Sequence, residues 1–197
     1  MNRPINVKKA THLGKPLKQL PRRLHHNAYT TEDHEQTRHF YETILGLPLV
    51  AMYIEREQIG DELVELGHAF YELGDGSALA FFNFADPAKQ VEWRAKEQSL
   101  FVHIALLVEK PTQVEIADRL ATAGLKFFSI DHGFCSSLYV KDPNGLTLEF
   151  TVDPAQAPEI AAEMATTAHQ DMRRWIAGDR RPNNRWRPDT APADITL

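Results

Sequence analysis

The stretch SLYVKDPNGLTLEF, residues 137–150, reads as two short strands around a tight turn. Asp142-Pro143-Asn144-Gly145 carries the residue types that reverse a chain: proline presets one backbone angle, and asparagine and glycine tolerate the left-handed one. Beyond the turn, Leu146, Leu148, Phe150 and Val152 alternate with Thr147, Glu149 and Thr151, so in a strand the two sets occupy opposite faces. The apolar set calls for cover by a helix. Glu149 then stands on the other face, where a carboxylate needs a cation or water to offset its desolvation.

Working outward, the same pattern occurs once more upstream. FYELGDGSALAFF (70–82) matches at the turn glycine, so that Gly76 faces Gly145 and Phe81 faces Phe150. Each hairpin is preceded by a strand and a helix. In the first half, Leu24–Thr30 is a strand, Thr31-Glu32-Asp33 offers helix caps, and Thr37, Phe40, Tyr41 and Ile44 form the inner face of a helix stopped at Gly46. Strands follow from Leu47–Val50, Ala69–Leu73 and Ala78–Phe84. In the second half a strand over Leu100–Val108 leads into a helix with Pro111 in its first turn and Thr112 and Glu115 at capping-box spacing. Val114, Ala117, Leu120 and Ala121 are its expected inner face, Gly124 its end, and Phe127–Ile130, Leu138–Val140 and Leu146–Val152 the strands after it. A strand–helix–three-strand order met twice predicts an α+β fold of two tandem βαβββ modules, over 23–86 and 100–153, joined by a linker over 87–99. Neither module buries much surface alone, so the two are expected to pack together and close a cup. Residues 1–22 read as an arm and 179–197 as a tail. Between them, 154–178 holds a C-terminal helix with Ile160, Met164, Ala168, Met172, Trp175 and Ile176 at helical spacing.

The bulk composition narrows the function classes. Of the 197 residues 43% are hydrophobic, and the net charge is −5, which argues against a nucleic-acid binder. The arginines near the end (Arg180, Arg181, Arg185, Arg187) read as solvated charge. No apolar run approaches the roughly 20 residues that cross a bilayer, so no membrane role is expected. The basic N-terminus lacks the apolar core of a secretory signal. Cys135 is the only cysteine, read as a small buried side chain, and its solitude suits the cytoplasm.

Strand alternation also places two histidines. In FVHIALLV (101–108), Val102, Ile104, Leu106 and Val108 form the helix-facing set, which puts His103 on the side of Glu149. In LHHNAYT (24–30) the repeat gives His26 the place that His103 holds, with His25 as its alternative. Two imidazoles and one carboxylate converging on a cup are the ligand set of a mononuclear metal with open positions. Fe(II) is the first choice, and Zn, Mn, Ni and Co use such ligands too.

LHHNAYTT, RHFYETILGLPLV, LFVHIALLV and SLYVKDPNGLTLEF together resemble the glyoxalase / bleomycin-resistance / extradiol dioxygenase superfamily, the vicinal oxygen chelate proteins, over about residues 23–153. The resemblance implies a divalent metal, His26, His103 and Glu149 as its ligands, and a small-molecule substrate bound through adjacent oxygens. Glyoxalase I-like members carry a fourth ligand where this chain has Ala80. The remaining His, His and Glu are similar to the set of extradiol catechol dioxygenases, which use O2. In those enzymes a Tyr ten residues before the metal Glu anchors the catecholate, and Tyr139 matches it; His132 lies close to their acid/base His. Phe81, Phe101 and Phe127 are candidates to line the cup. A metal-dependent isomerase, lyase or hydrolase, and an antibiotic-binding protein, are the other readings. A homodimer is expected, built either from cups within each chain or from exchanged modules, with the C-terminal helix at or near the contact. Changing Ala80 to Glu should add a fourth ligand and tighten Zn²⁺ or Ni²⁺ binding in a titration; unchanged affinity would mean that position 80 does not face the metal.

Overall fold

The computed structural model describes residues 19, 21–94, 96 and 101–188. The arm expected over 1–22 and Leu100 thus lie wholly or largely outside the described residues. The first module runs β1 (His26–Thr30), α1 (His34–Arg38), β2 (Leu49–Ile59), β3 (Glu62–Glu72) and β4 (Ala78–Phe84). Helix α2 (Pro87–Trp93) occupies the linker. The second module runs β5 (His103–Leu107), α3 (Lys110–Thr122), β6 (Phe127–Asp131), β7 (Ser136–Lys141) and β8 (Thr147–Val152), and α4 (Ala157–Ile176) follows.

Asp33 caps α1, its carboxylate accepting from the Glu35 and Gln36 backbone N–H groups. The helix then widens into a π-helical stretch over His39–Ile44, where Leu45 N–H donates five residues back to the Phe40 carbonyl at 3.0 Å. The sheets are ordered β1-β4-β3-β2 and β5-β8-β7-β6. The outer pairs β1/β4 and β5/β8 are parallel and the rest antiparallel. Register makes the duplication specific. His26 pairs with Ala78 as His103 pairs with Thr147, and Phe70 lies opposite Ala80 as Tyr139 lies opposite Glu149.

One core serves both modules. Phe40, Tyr41, Tyr71, Leu79 and Phe81 from the first pack in the same cluster as Leu120, Leu138, Val140, Leu148 and Phe150 from the second. These are the helix-covered faces of both sheets, so the opposite faces, carrying His26 and Glu149, remain open. A polar joint ties the halves: Tyr41 Oη donates to Asp142 Oδ2 (3.0 Å) and Asn144 Nδ2 to Thr37 Oγ1 (3.2 Å). Asp142, 5% exposed, also accepts from the Leu146 and Asn144 backbone N–H groups, and burial pushes its carboxyl above the usual range.

Several expectations are corrected. The strands read as Leu47–Val50 and Ala69–Leu73 are the near ends of a long ribbon, 11 residues in each strand, turning at Gly60. Beyond Leu49 most of β2 is exposed on both faces, so no alternation marks it. In α3 the buried side chains are Gln113, Ile116 and Leu120, while Val114 is 49% exposed and Ala121 is exposed. Gln113 is drawn inward because its Nε2 donates to the Ser136 and Phe150 carbonyls, and Thr112 lies inside the helix, whose N-cap is Glu109. Phe81 lies in the core and Phe127 packs against that core, so neither lines the open face, while Phe101 is 86% exposed near His103. Cys135 is buried, as read. Among the described residues no helix is long and apolar enough to cross a membrane.

The Tyr41–Asp142 joint should be measurable by urea unfolding. Tyr41→Phe should cost about 1 kcal/mol, and Asp142→Ala, which strands several donors, about 3 kcal/mol. An Asp142→Ala protein as stable as the parent would remove the joint from the account.

Candidate functional site

The β8 backbone presents Glu149 on the open face of the second sheet, and its side chain is only 7% exposed. On one side, His103 Nε2 stands 2.8 Å from Glu149 Oε2. On the other, Tyr139 Oη donates to Glu149 Oε1 at 2.9 Å, and His132 Nε2 lies 2.8 Å from the same hydroxyl. Because Tyr139 spends its proton on Glu149, His132 must donate from Nε2, which leaves Nδ1 with the lone pair. Burial, joined by the Glu149 carboxylate, pushes the Tyr139 hydroxyl well above its usual range, so it stays a neutral donor. Burial likewise lowers the His132 pKa. Phe128 stacks on the Tyr139 ring at 4.9 Å. His103, His132, Tyr139 and Glu149, with Phe134 and Asp153, line a cavity of about 390 Å³.

The His103–Glu149 contact has an electrostatic peculiarity. His103 Nδ1 faces the Phe101 carbonyl at 3.2 Å, an acceptor that requires an N–H there. A neutral imidazole then turns a lone pair toward a carboxylate oxygen, which is repulsive unless a second proton or a metal cation lies between. Two ligand atoms about 2.1 Å from one ion and at right angles to each other stand about 3.0 Å apart. The observed separation fits one edge of such a coordination shell, with Phe101 orienting the ligand ring.

The third expected ligand is elsewhere. The His26 ring contacts His25, His68 and Phe70, all of the first module, with His25 Nδ1 at 2.8 Å from His26 Nδ1. Among the described residues no hydrogen bond, ion pair or ring contact joins His26 to His103 or Glu149, and no three His, Cys, Asp or Glu are gathered to hold an ion within one chain. The structure therefore brings His103, Glu149, Tyr139 and His132 together and leaves His26 on the other open face. Ala80 lies in the strand pair Ala28–Ala80–Phe70, fully buried and without a donor atom.

Sequence reasoning missed His68. It is 8% exposed, stacks on Phe82 with ring centroids 3.6 Å apart, and has no partner for Nε2. The signal was its two-residue spacing from Phe70, but the strand was begun at Ala69, whereas β3 begins at Glu62. Burial, then the neighbouring His26 and His34, lower its pKa to about 4.

A family model for the glyoxalase/bleomycin resistance protein/dioxygenase superfamily matches residues 23–150, which span both modules. The chain belongs to that superfamily. The match ends inside β8, before α4. Among solved structures, a glyoxylase/bleomycin resistance protein/dioxygenase domain from Frankia sp. EAN1pec is 17% identical, covering 70% of this chain and 95% of that one with a TM-score of 0.51. The fosfomycin resistance protein FosX from Listeria monocytogenes is 15% identical, covering 72% and 98%, also with a TM-score of 0.51. A FosX variant complexed with Mn(II) and 1S,2S-dihydroxypropylphosphonic acid is 14% identical, covering 70% and 97%, at 0.50. Likeness at this identity shows the shared fold. No curated protein matches the chain.

The buried histidines of the superfamily's first module here predict a pH dependence. His68 titrates near 4 when folded and near 6.5 when unfolded, and His34, whose pKa burial also lowers, shifts the same way. Between those values the unfolded chain binds the extra proton, so stability falls as pH falls. For metal-free protein the loss from pH 7 to pH 4 should include roughly 2–3 kcal/mol from His68, and His68→Phe should flatten the curve by that amount. An unchanged slope would contradict the assignment.

Proposed function

We propose that the protein is a metal-dependent enzyme of the extradiol dioxygenase type, acting on a small substrate that presents two adjacent oxygens. The observation that carries this reading is the hydrogen-bonded series His132–Tyr139–Glu149, which ends beside His103. His103 and Glu149 would hold a divalent ion, Fe(II) by preference for this mixed donor set, with Zn, Mn, Ni and Co as ions the same donors accept. When bound, the ion supplies Lewis acidity toward the paired substrate oxygens and an open position for O2. The Mn(II)-bound FosX variant supports a metal on this fold.

The chain's own groups divide the remaining work. Tyr139, kept neutral with its proton directed at Glu149, leaves a lone pair on its oxygen beside the metal edge to accept from a substrate hydroxyl. The lowered pKa of His132 keeps its ring neutral at pH 7, ready to take the substrate hydroxyl proton on Nδ1 and later return it. Ala80 leaves the fourth corner without a ligand, consistent with a position kept open. Glu149, almost withdrawn from water, is oriented by the Tyr139 hydrogen bond.

His26 completes the set from a second copy. The helix-covered faces meet in one core within the chain, so the two open faces look outward, each with part of the ligand set. In a symmetric dimer the first-module face of one copy, with His26, His68 and Phe70, closes over the Glu149 face of the other. Two cups result, each shared between chains.

Anaerobic Fe(II) loading followed by oxygen-uptake assays with catechols tests the reaction. His26→Ala and Glu149→Ala proteins should each lack bound metal and uptake. Unfolded and refolded as an equal mixture, they should regain about a quarter of the wild-type metal, because half of the dimers are mixed and each has one intact site. No recovery would place all three ligands in one chain, and metal retained by the His26→Ala protein would remove His26 from the set; metal uptake without oxygen consumption would point to isomerase or lyase chemistry.

A further inference from the structure

We propose that the C-terminal segment builds a second, apolar compartment of the site, which takes a neutral hydrocarbon substituent of the substrate. The inference rests on the oxygen-chelating reading only for what sits at the His103 end. A cavity of about 510 Å³ lies between α4 and the chain that follows it, well within the size of small-molecule sites. Ile160, Ala161 and Met164 of α4 form one wall, and Asn184 and Trp186 the other. Phe134 and Asp153 line both this cavity and the one that holds His103 and Glu149, so the two compartments adjoin.

The outer wall is built rather than draped. Arg174 binds Asp179 (2.9 Å), which also pairs with Arg181 (2.6 Å), and this fixes the turn after α4. Arg185 reaches back to Glu163. Asn184 Nδ2 donates to the His132 carbonyl at 2.9 Å. At Gly133, whose φ is +79°, an added Cβ would stand 2.1 Å from the Trp186 carbonyl oxygen and 2.4 Å from Arg187 N. Only a glycine in that conformation lets the incoming backbone lie so close. The segment is thus anchored on the loop that carries His132. All of it lies beyond residue 150, where the superfamily match ends.

The chemistry of the lining selects the occupant. The walls are mainly hydrocarbon, and among the described residues no Lys, Arg or His lines the cavity, so they offer an anionic group no counter-charge there. A ligand whose paired oxygens lie at Glu149 and whose apolar body passes Phe134 would fill both spaces.

Calorimetry on the full chain tests this with three probes. 4-Hexylresorcinol carries a hydrocarbon tail but cannot chelate through adjacent oxygens; resorcinol lacks the tail; catechol chelates without one. On metal-free protein, 4-hexylresorcinol should bind at least about tenfold more tightly than resorcinol. Ala161→Phe, which fills the cavity from an exposed helix position, should erase most of that ratio, and Trp186→Ala, which opens the wall, should reduce it. Equal affinities for the two resorcinols, or a ratio unchanged in both variants with melting curves like the parent's, would overturn the proposal. If the Mn(II)-loaded parent binds catechol no better than resorcinol while the tail preference and its loss persist, the chelation reading fails and the compartment stands.

Discussion

Glu149 is a carboxylate almost wholly withdrawn from water on a face that no helix covers, and the rest of the site follows from keeping it there. A buried anion is tolerated only when its lone pairs are met. Tyr139, on the neighbouring strand and directly opposite in register, donates to one oxygen, and His103 Nε2 stands 2.8 Å from the other. Each partner is then committed. Tyr139 has no second proton to give, which sets the tautomer of His132; His103 is turned by the Phe101 carbonyl so that its second nitrogen meets the carboxylate. One anion on one strand therefore orients three side chains, those of Tyr139, His132 and His103.

The shared core imposes the second constraint. Each sheet has one face apolar enough to exclude water, and each such face is used within the chain, sealed by Tyr41, Leu120 and their neighbours and pinned by the Tyr41–Asp142 bond. With those faces spent on folding, the faces that carry His26 and Glu149 cannot also meet inside the chain. Stability and the exposed ligand candidates thus draw on opposite sides of the same sheets, which is the physical ground for proposing that a second copy completes the site.

The C-terminal addition works on a different scale. Among the described residues none from α4 onward lines the His103–Glu149 cavity, but the segment holds the backbone carbonyl of His132 and closes a hydrocarbon-lined space next to it. Its arginines, read in sequence as solvated charge, stay at the surface and find partners there: Arg180 lies over the Trp175 ring at 3.9 Å, and Arg181 and Arg185 are paired to carboxylates. Met172, Trp175 and Ile176 remain more than half exposed at the end of α4.

What the sequence determined by itself is local and periodic. Alternation in residues 146–152 put Glu149 on the face away from the core, the turn glycines Gly76 and Gly145 aligned the two halves, and ten residues separated Tyr139 from Glu149 across one hairpin; all of these are set by backbone geometry over a few residues. Where alternation was masked, reading failed. The long β2–β3 ribbon is exposed on both faces and so carries no pattern, and His68 was lost with it. The inward turn of Gln113 was hidden because its reason is a pair of carbonyls on distant strands. Tertiary structure alone decided that His26 and Glu149 lie on separate outward faces, since that depends on which sheet faces share a core. It alone decided as well that Asn184 and Trp186, some 50 residues from His132, come to rest on its loop.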